Sequence, residues 1–153
     1  MNQLSELYRY FKELFDTDQL INSCRKLNPD AMAQDKELIF PLANVWIDAG
    51  SFTNGSTVIF NVALSVWDTR DKNNELITDQ FWGQDNEVDN HNMALAVLNR
   101  IWSKMYNDFE NFNITASENP SFEMGSFEGH KLLDGAVLTF DVELPNTTIN
   151  LCQ

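Results

Sequence analysis

Residues 57–67 read TVIFNVALSVW. Val58, Phe60, Val62, Leu64 and Val66 fill the even positions, and Thr57, Ile59, Asn61, Ala63, Ser65 and Trp67 the odd ones. A period of two held over this length, rich in β-branched side chains, predicts a long strand whose even face lies on a core. The odd face is ambiguous, because Ile59, Ala63 and Trp67 stand where a solvated strand usually carries Lys, Glu or Thr. Either a second layer of the same domain covers it or another copy of the protein does.

Upstream, ELIFPLANVWIDAG (37–50) is strand-like on both sides of Pro41, which cannot donate to a ladder and so marks an edge, a bulge or a boundary. AGSFTNGS (49–56) contains an Asn54-Gly55 pair and predicts a hairpin into the long strand. Phe52 at its tip is exposed apolar surface that calls for a cover. Leu4, Leu7, Tyr8, Phe11, Leu14 and Phe15 recur at spacings of three and four, predicting an amphipathic helix over 3–16. Residues 19–26 give a weak strand signal, and Asn28-Pro29-Asp30 a turn.

Downstream, residues 68–92 hold seven acids, two bases and the aromatic pair Phe81-Trp82, which reads as a long acidic loop with one aromatic anchor. A second helix is predicted over 93–109, capped by Asp89 or Asn90, with Leu95, Leu98, Trp102, Met105 and Phe109 as its stripe. Strands are expected at 112–117, 121–127 and 135–144, followed by a C-terminal tail over 145–153. The order α, β group, α, β group predicts one α+β domain over 1–153, an antiparallel or mixed sheet or sandwich with both helices on one face.

The chain has 153 residues, 43% of them hydrophobic, and a net charge of -13. One domain of this length buries roughly two-thirds of its unfolded surface. The charge argues against nucleic-acid phosphates and anionic membranes, both of which are bound by Lys and Arg. No apolar run nears the ~20 residues of a membrane span. The opening MNQLSELYRYF lacks the regions of a signal peptide, so the sequence predicts a protein kept in the cytosol of its cell or in a particle assembled there. Cys24 and Cys152 then read as free thiols, and the three Asn-X-Ser/Thr sequons as idle.

No catalytic constellation emerges. His91 and His130 are the only histidines, the first read as a solvated or capping residue and the second as a turn residue. HExxH, paired CxxC, GxGxxG, GxxxxGK[ST] and GxSxG patterns are missing from the sequence. The stretch from Asp71 faintly follows a calcium loop but has no glycine at its sixth position and Trp82 at its twelfth, so it is rejected. No catalytic, cofactor-binding or metal-binding residue is therefore predicted.

FPLANVWIDAGSF (40–52), VIFNVALSVWDTRDKNNE (58–75), DNHNMALAVLNRIWSKM (89–105) and LLDGAVLTFDVELPNTTINLC (132–152) together resemble small virion proteins of tailed bacteriophages. These are the tail-terminator and neck or ring proteins of the head–tail junction, with crAss-like phages nearest in flavour. The resemblance implies a compact α+β subunit, neither enzyme nor cofactor carrier. It would form a six- or twelve-fold homo-oligomeric ring, assembled in the host cytoplasm, that bridges neighbouring neck, tail or portal proteins. DNA would pass through the ring without specific binding. Because crAss-like phages have short tails, neck and tail both stay open as its position.

A cyclic ring needs two different adhesive surfaces on each subunit. The candidates are Phe52 and Asn54 at the hairpin, Ile59 and Trp67 on the odd face, and Phe81 and Trp82 in the acidic loop. Two other functions fit the sequence: a small-molecule-binding or enzymatic α+β domain with an apolar pocket between helix and sheet, and an adaptor that pairs through an exposed strand edge.

Overall fold

In a computed structural model of the chain, the residues described are 3–28, 38–54, 57–71, 86–112, 115–117, 119–129 and 131–145. The elements in chain order are α1 (Gln3–Asp16), β1 (Ser23–Arg25), β2 (Leu42–Phe52), β3 (Thr57–Thr69), α2 (Glu87–Phe112), β4 (Thr115–Ala116), β5 (Ser121–Glu128) and β6 (Leu132–Pro145). The strands form one mixed sheet in the order β1-β2-β3-β6, with β4 and β5 both paired to the far side of β6. β1 runs parallel to β2 and every other pair is antiparallel. The expected α+β class, with two helices on one sheet, is what the chain adopts.

β3 lies in the middle of the sheet because its even face is continuously apolar. Val58, Val62, Leu64 and Val66 are buried in the main core, with Phe60 packed against it. Their neighbours across the ladders share that face: Ile47, Val45 and Ala43 on β2, and Leu144, Val142, Phe140, Leu138 and Ala136 on β6. α1 contributes Leu7, Phe11 and Phe15 to this core, and α2 contributes Ala94, Val97, Leu98, Ile101, Met105 and Phe109. Each large side chain so buried stabilises the fold by roughly 1.5–3 kcal/mol relative to exposure. Arg100 ties the helices together through two 3.0 Å hydrogen bonds to Asp18, just beyond α1.

Several sequence boundaries move. α2 begins at Glu87, six residues before the expected start, so Asp89 and Asn90 lie inside its first turn and do not cap it. Asn86 takes the position before the helix, its carbonyl accepting the Asn90 N–H at 2.9 Å. Acidic Glu87 and Asp89 suit the positive end of the helix dipole, which is why this charged stretch is helical. The acidic connection shortens accordingly, since Asp68 and Thr69 belong to β3 and residues 87–92 to α2. β2 starts only after Pro41, whose carbonyl accepts N–H groups from Asn22 and Ser23 at 3.0 and 3.4 Å. The strand expected at 112–117 is reduced to Thr115–Ala116.

The odd face of β3 proves to have two halves. At one end Trp67 is 1% exposed in a second cluster with Leu38, Leu42 and Leu133, bordered by Leu27, Phe40, Phe127 and Val137. Asn44, itself buried, holds Leu27 over this half: Leu27 N–H donates to Asn44 Oδ1 at 2.8 Å and Asn44 Nδ2 donates to the Leu27 carbonyl at 2.9 Å. The Trp67 indole lies against Gly135, where a Cβ would stand 2.0 Å from the Val66 carbonyl oxygen and 2.6 Å from the ring. Only glycine permits that approach. At the other end an open depression of about 360 Å³ is lined by Asp48, Asn61, Ala63, Ser117, Thr139 and Asp141, a polar and acidic surface.

Candidate assembly surfaces

Phe52 ends β2 and is 78% exposed, the most exposed large hydrophobic residue among those described. It pairs with Val58, so it projects on the helix-bearing face. Asn54 beside it is exposed, and Ile59 is half-buried on the opposite face. Trp67 corrects the expectation placed on it: its burial in the chain's own second cluster leaves no ring surface to offer a partner. Its buried indole N–H has no hydrogen-bond partner among the described residues. Phe81 and Trp82 lie outside the described residues. The structure thus brings Phe52 and Asn54 together and separates Ile59 and Trp67 from them.

A second apolar surface, which the sequence reading missed, lies at the other edge of the sheet. Phe122 and Met124 on β5 are 56% and 54% exposed. They pair with Leu138 and Ala136, so both project on the helix-bearing face. α2 crosses over β3 and β6 and stops short of them. A groove of about 370 Å³ is left between helix and edge strand, lined by Leu95, Leu98, Trp102, Pro120, Phe122 and Leu138, with Asn99 its one polar residue. The sequence stripe of α2, broadened by Ala94, Val97 and Ile101, covers β3 and β6 and leaves the apolar side of this fourth strand open.

Also unanticipated is a buried charge network beneath the start of α2. Asp134 is fully buried. Arg70 grips it with Nε to Oδ2 at 2.9 Å and Nη2 to Oδ1 at 2.6 Å, and reaches Glu87 at 3.2 Å. Ser126 donates to the same carboxylate at 2.6 Å and Asn90 at 3.4 Å. Burial pushes the Asp134 carboxyl up, but the Arg70 and Ser126 hydrogen bonds and the Arg70 charge outweigh it and hold the group below the usual carboxylate range. Asp68, opposite Asp134 on the same face, is raised, chiefly by burial. His91 is half-buried, its Nε2 3.2 Å from the Gly125 carbonyl, so it joins α2 to β5 from inside the helix and does not cap it.

Glu87, His91 and Asp134 each bring a potential metal-ligand atom within 4.8 Å of the others. The guanidinium of Arg70 already occupies the cation's place against both carboxylates, so the donor set is spent on an internal ion pair. Cys24 is half-buried and its thiol is pushed up to about 12 by burial, which makes it a poor nucleophile or ligand near neutrality. Cys152 and His130 are outside the described residues. No helix among those described is long and apolar enough to cross a membrane.

No protein-family model matches the chain, and no curated protein matches it.

Proposed function

We propose that the chain is a structural subunit of a phage virion, forming a closed ring at the head–tail junction or tail and bridging its neck, tail or portal neighbours around the DNA channel. The observation that carries this reading is the placement of two largely apolar surfaces, Phe52 and the α2–β5 groove, on opposite edges of one sheet. Two unlike surfaces on opposite sides of a subunit are what head-to-tail cyclic assembly uses, with six or twelve copies as the expected closures. The net charge of -13 suits a ring through which DNA slides, because phosphates meet few cations able to displace their counterions.

A catalytic or small-molecule role draws less support from the same surfaces. A ligand site orients its guest through several convergent polar groups, and the α2–β5 groove offers only Asn99. Electron microscopy of the purified chain at high concentration tests the proposal. Closed rings with an open centre are the expected result, and a field without rings at any concentration overturns it.

A further inference from the structure

We infer that neighbouring copies join by seating Phe52 of one copy in the α2–β5 groove of the next, with the outer edge of β2 alongside the outer edge of β5. This rests on the ring reading and names the surfaces that make the ring.

Sheet topology supplies the first argument. β2 and β5 approach the sheet margins from opposite sides, with β3 and β6 between them. β1 covers only Leu42, Ala43 and Asn44 of β2, and among the described residues β5 has β6 as its one strand partner. Tyr8 closes part of the β2 margin: its hydroxyl accepts the Ile47 N–H at 3.0 Å and donates to the Ile47 carbonyl at 3.1 Å. Beyond the register shift between Ile47 and Ala49, the strand runs on to Phe52 with no strand on its outer side among the described residues. The open part of β2 is therefore the part that carries the protruding aromatic ring.

The facing of the side chains supplies the second. Were one copy's β2 edge to continue another's β5 edge, their helix-bearing faces would be contiguous. Phe52 projects on that face, as do Phe122 and Met124. Phe52 stands level with Leu144 and Phe122 level with Leu138, six residues apart on β6, so a continued sheet brings Phe52 to the groove's rim, with neither subunit turned over, when neighbouring copies are offset by about 20 Å along the strands. The groove's 370 Å³ exceeds the ~150 Å³ of an apolar cavity known to admit benzene, so a phenyl ring fits.

Charge supplies the third. Copies bearing -13 each repel one another, and contact costs least where no acid is present. Residues 49–54, AGSFTN, contain no charged side chain, and neither does the groove lining, so the nearest acids, Asp48 beside the Phe52 hollow and the exposed Glu123 and Glu128 of β5, fall at the margins of the contact. The open half of the opposite face, with Asp48 and Asp141, is acidic and disfavours self-contact. One buried phenylalanine supplies on the order of 150–250 Å², well below the ~800 Å² per partner of a standard interface, so paired edges must supply the remainder.

Sedimentation velocity of the full chain with Phe52→Asp, Phe122→Asp and their mixture tests this. Both positions are more than half exposed, so both variants should fold with the parent's circular dichroism and urea midpoint; loss of folding in either would place that ring in the core and overturn the inference. Each variant alone should associate at least about thirty-fold more weakly than the parent. Mixed in equal amounts they should form a discrete heterodimer and nothing larger, since one intact knob and one intact groove remain between them. Variants that assemble like the parent would overturn this mating and leave the ring reading standing. So would a mixture that stays monomeric. A parent chain that never associates would overturn the ring reading together with the mating.

Discussion

Replacing Arg70 by Met keeps an unbranched apolar stem and removes the charged guanidinium. The loss includes the bidentate grip on Asp134, the 3.2 Å contact with Glu87 and a 3.3 Å hydrogen bond to Ser126. Asp134, fully buried, keeps Ser126 at 2.6 Å and Asn90 at 3.4 Å, too little to solvate a carboxylate. Removing one member of a buried pair costs about 3–5 kcal/mol, because an uncompensated charge stays behind. A domain has only about 5–15 kcal/mol of stability, so Arg70→Met should cut the urea midpoint deeply at pH 7. The pH dependence then separates this cause from mere loss of packing. In the parent, Asp134 sits below its unfolded value of about 3.9, so its contribution is present above that pH and lost as pH falls through the folded value. In the variant, burial without the cation lifts the folded value above 3.9, and the penalty fades as pH falls toward 4. The gap between the two proteins should therefore shrink on acidification. Replacing Asp134 by Leu as well should recover most of the loss, since no charge is then stranded. A loss under about 1 kcal/mol at pH 7, or one that does not change between pH 7 and 4, would refute the reasoning.

Three further outcomes are expected from urea unfolding. Gly135→Ala should cost about 3 kcal/mol, the upper range for overpacking, because its methyl group meets the Val66 carbonyl and the Trp67 ring within a ladder that cannot shift; a cost under 1 kcal/mol would contradict the packing of that ring. Asp68→Asn should stabilise the protein above the raised carboxyl value and leave it unchanged below about pH 3.9, since ionising a group raised by burial penalises the fold only where the group is charged; equal stability at pH 7 would contradict it. Tyr8→Phe should cost about 1–2 kcal/mol by stripping the Ile47 N–H and carbonyl of their partner, and a neutral result would mean that water serves that edge as well.

β3 was legible because an unbroken period of two reports a face directly, and α1 because its aromatic stripe repeats at helical spacing. The start of α2 was not: Glu87, Val88, Asp89 and Asn90 carry no apolar stripe of their own, and what holds them helical is the helix dipole and Asn90's contacts with Thr69 and Asp134. Trp67 was misread for a related reason. Periodicity puts it on the odd face, but the chain that covers that face includes Leu27 and Leu38, brought there across a long separation by Asn44 and Leu42. Phe122 and Met124 looked like ordinary strand residues, and only the finite width of α2 over the sheet leaves them uncovered. The Arg70–Asp134 pair joins positions 64 residues apart, which no local pattern reveals.

The account stands on self-association through two unlike edges, and native mass spectrometry of the purified chain over a concentration series reads it most directly. The dominant species should weigh six or twelve times 17.6 kDa, with no open-ended series of larger multiples. A single species at 17.6 kDa at every concentration would contradict it.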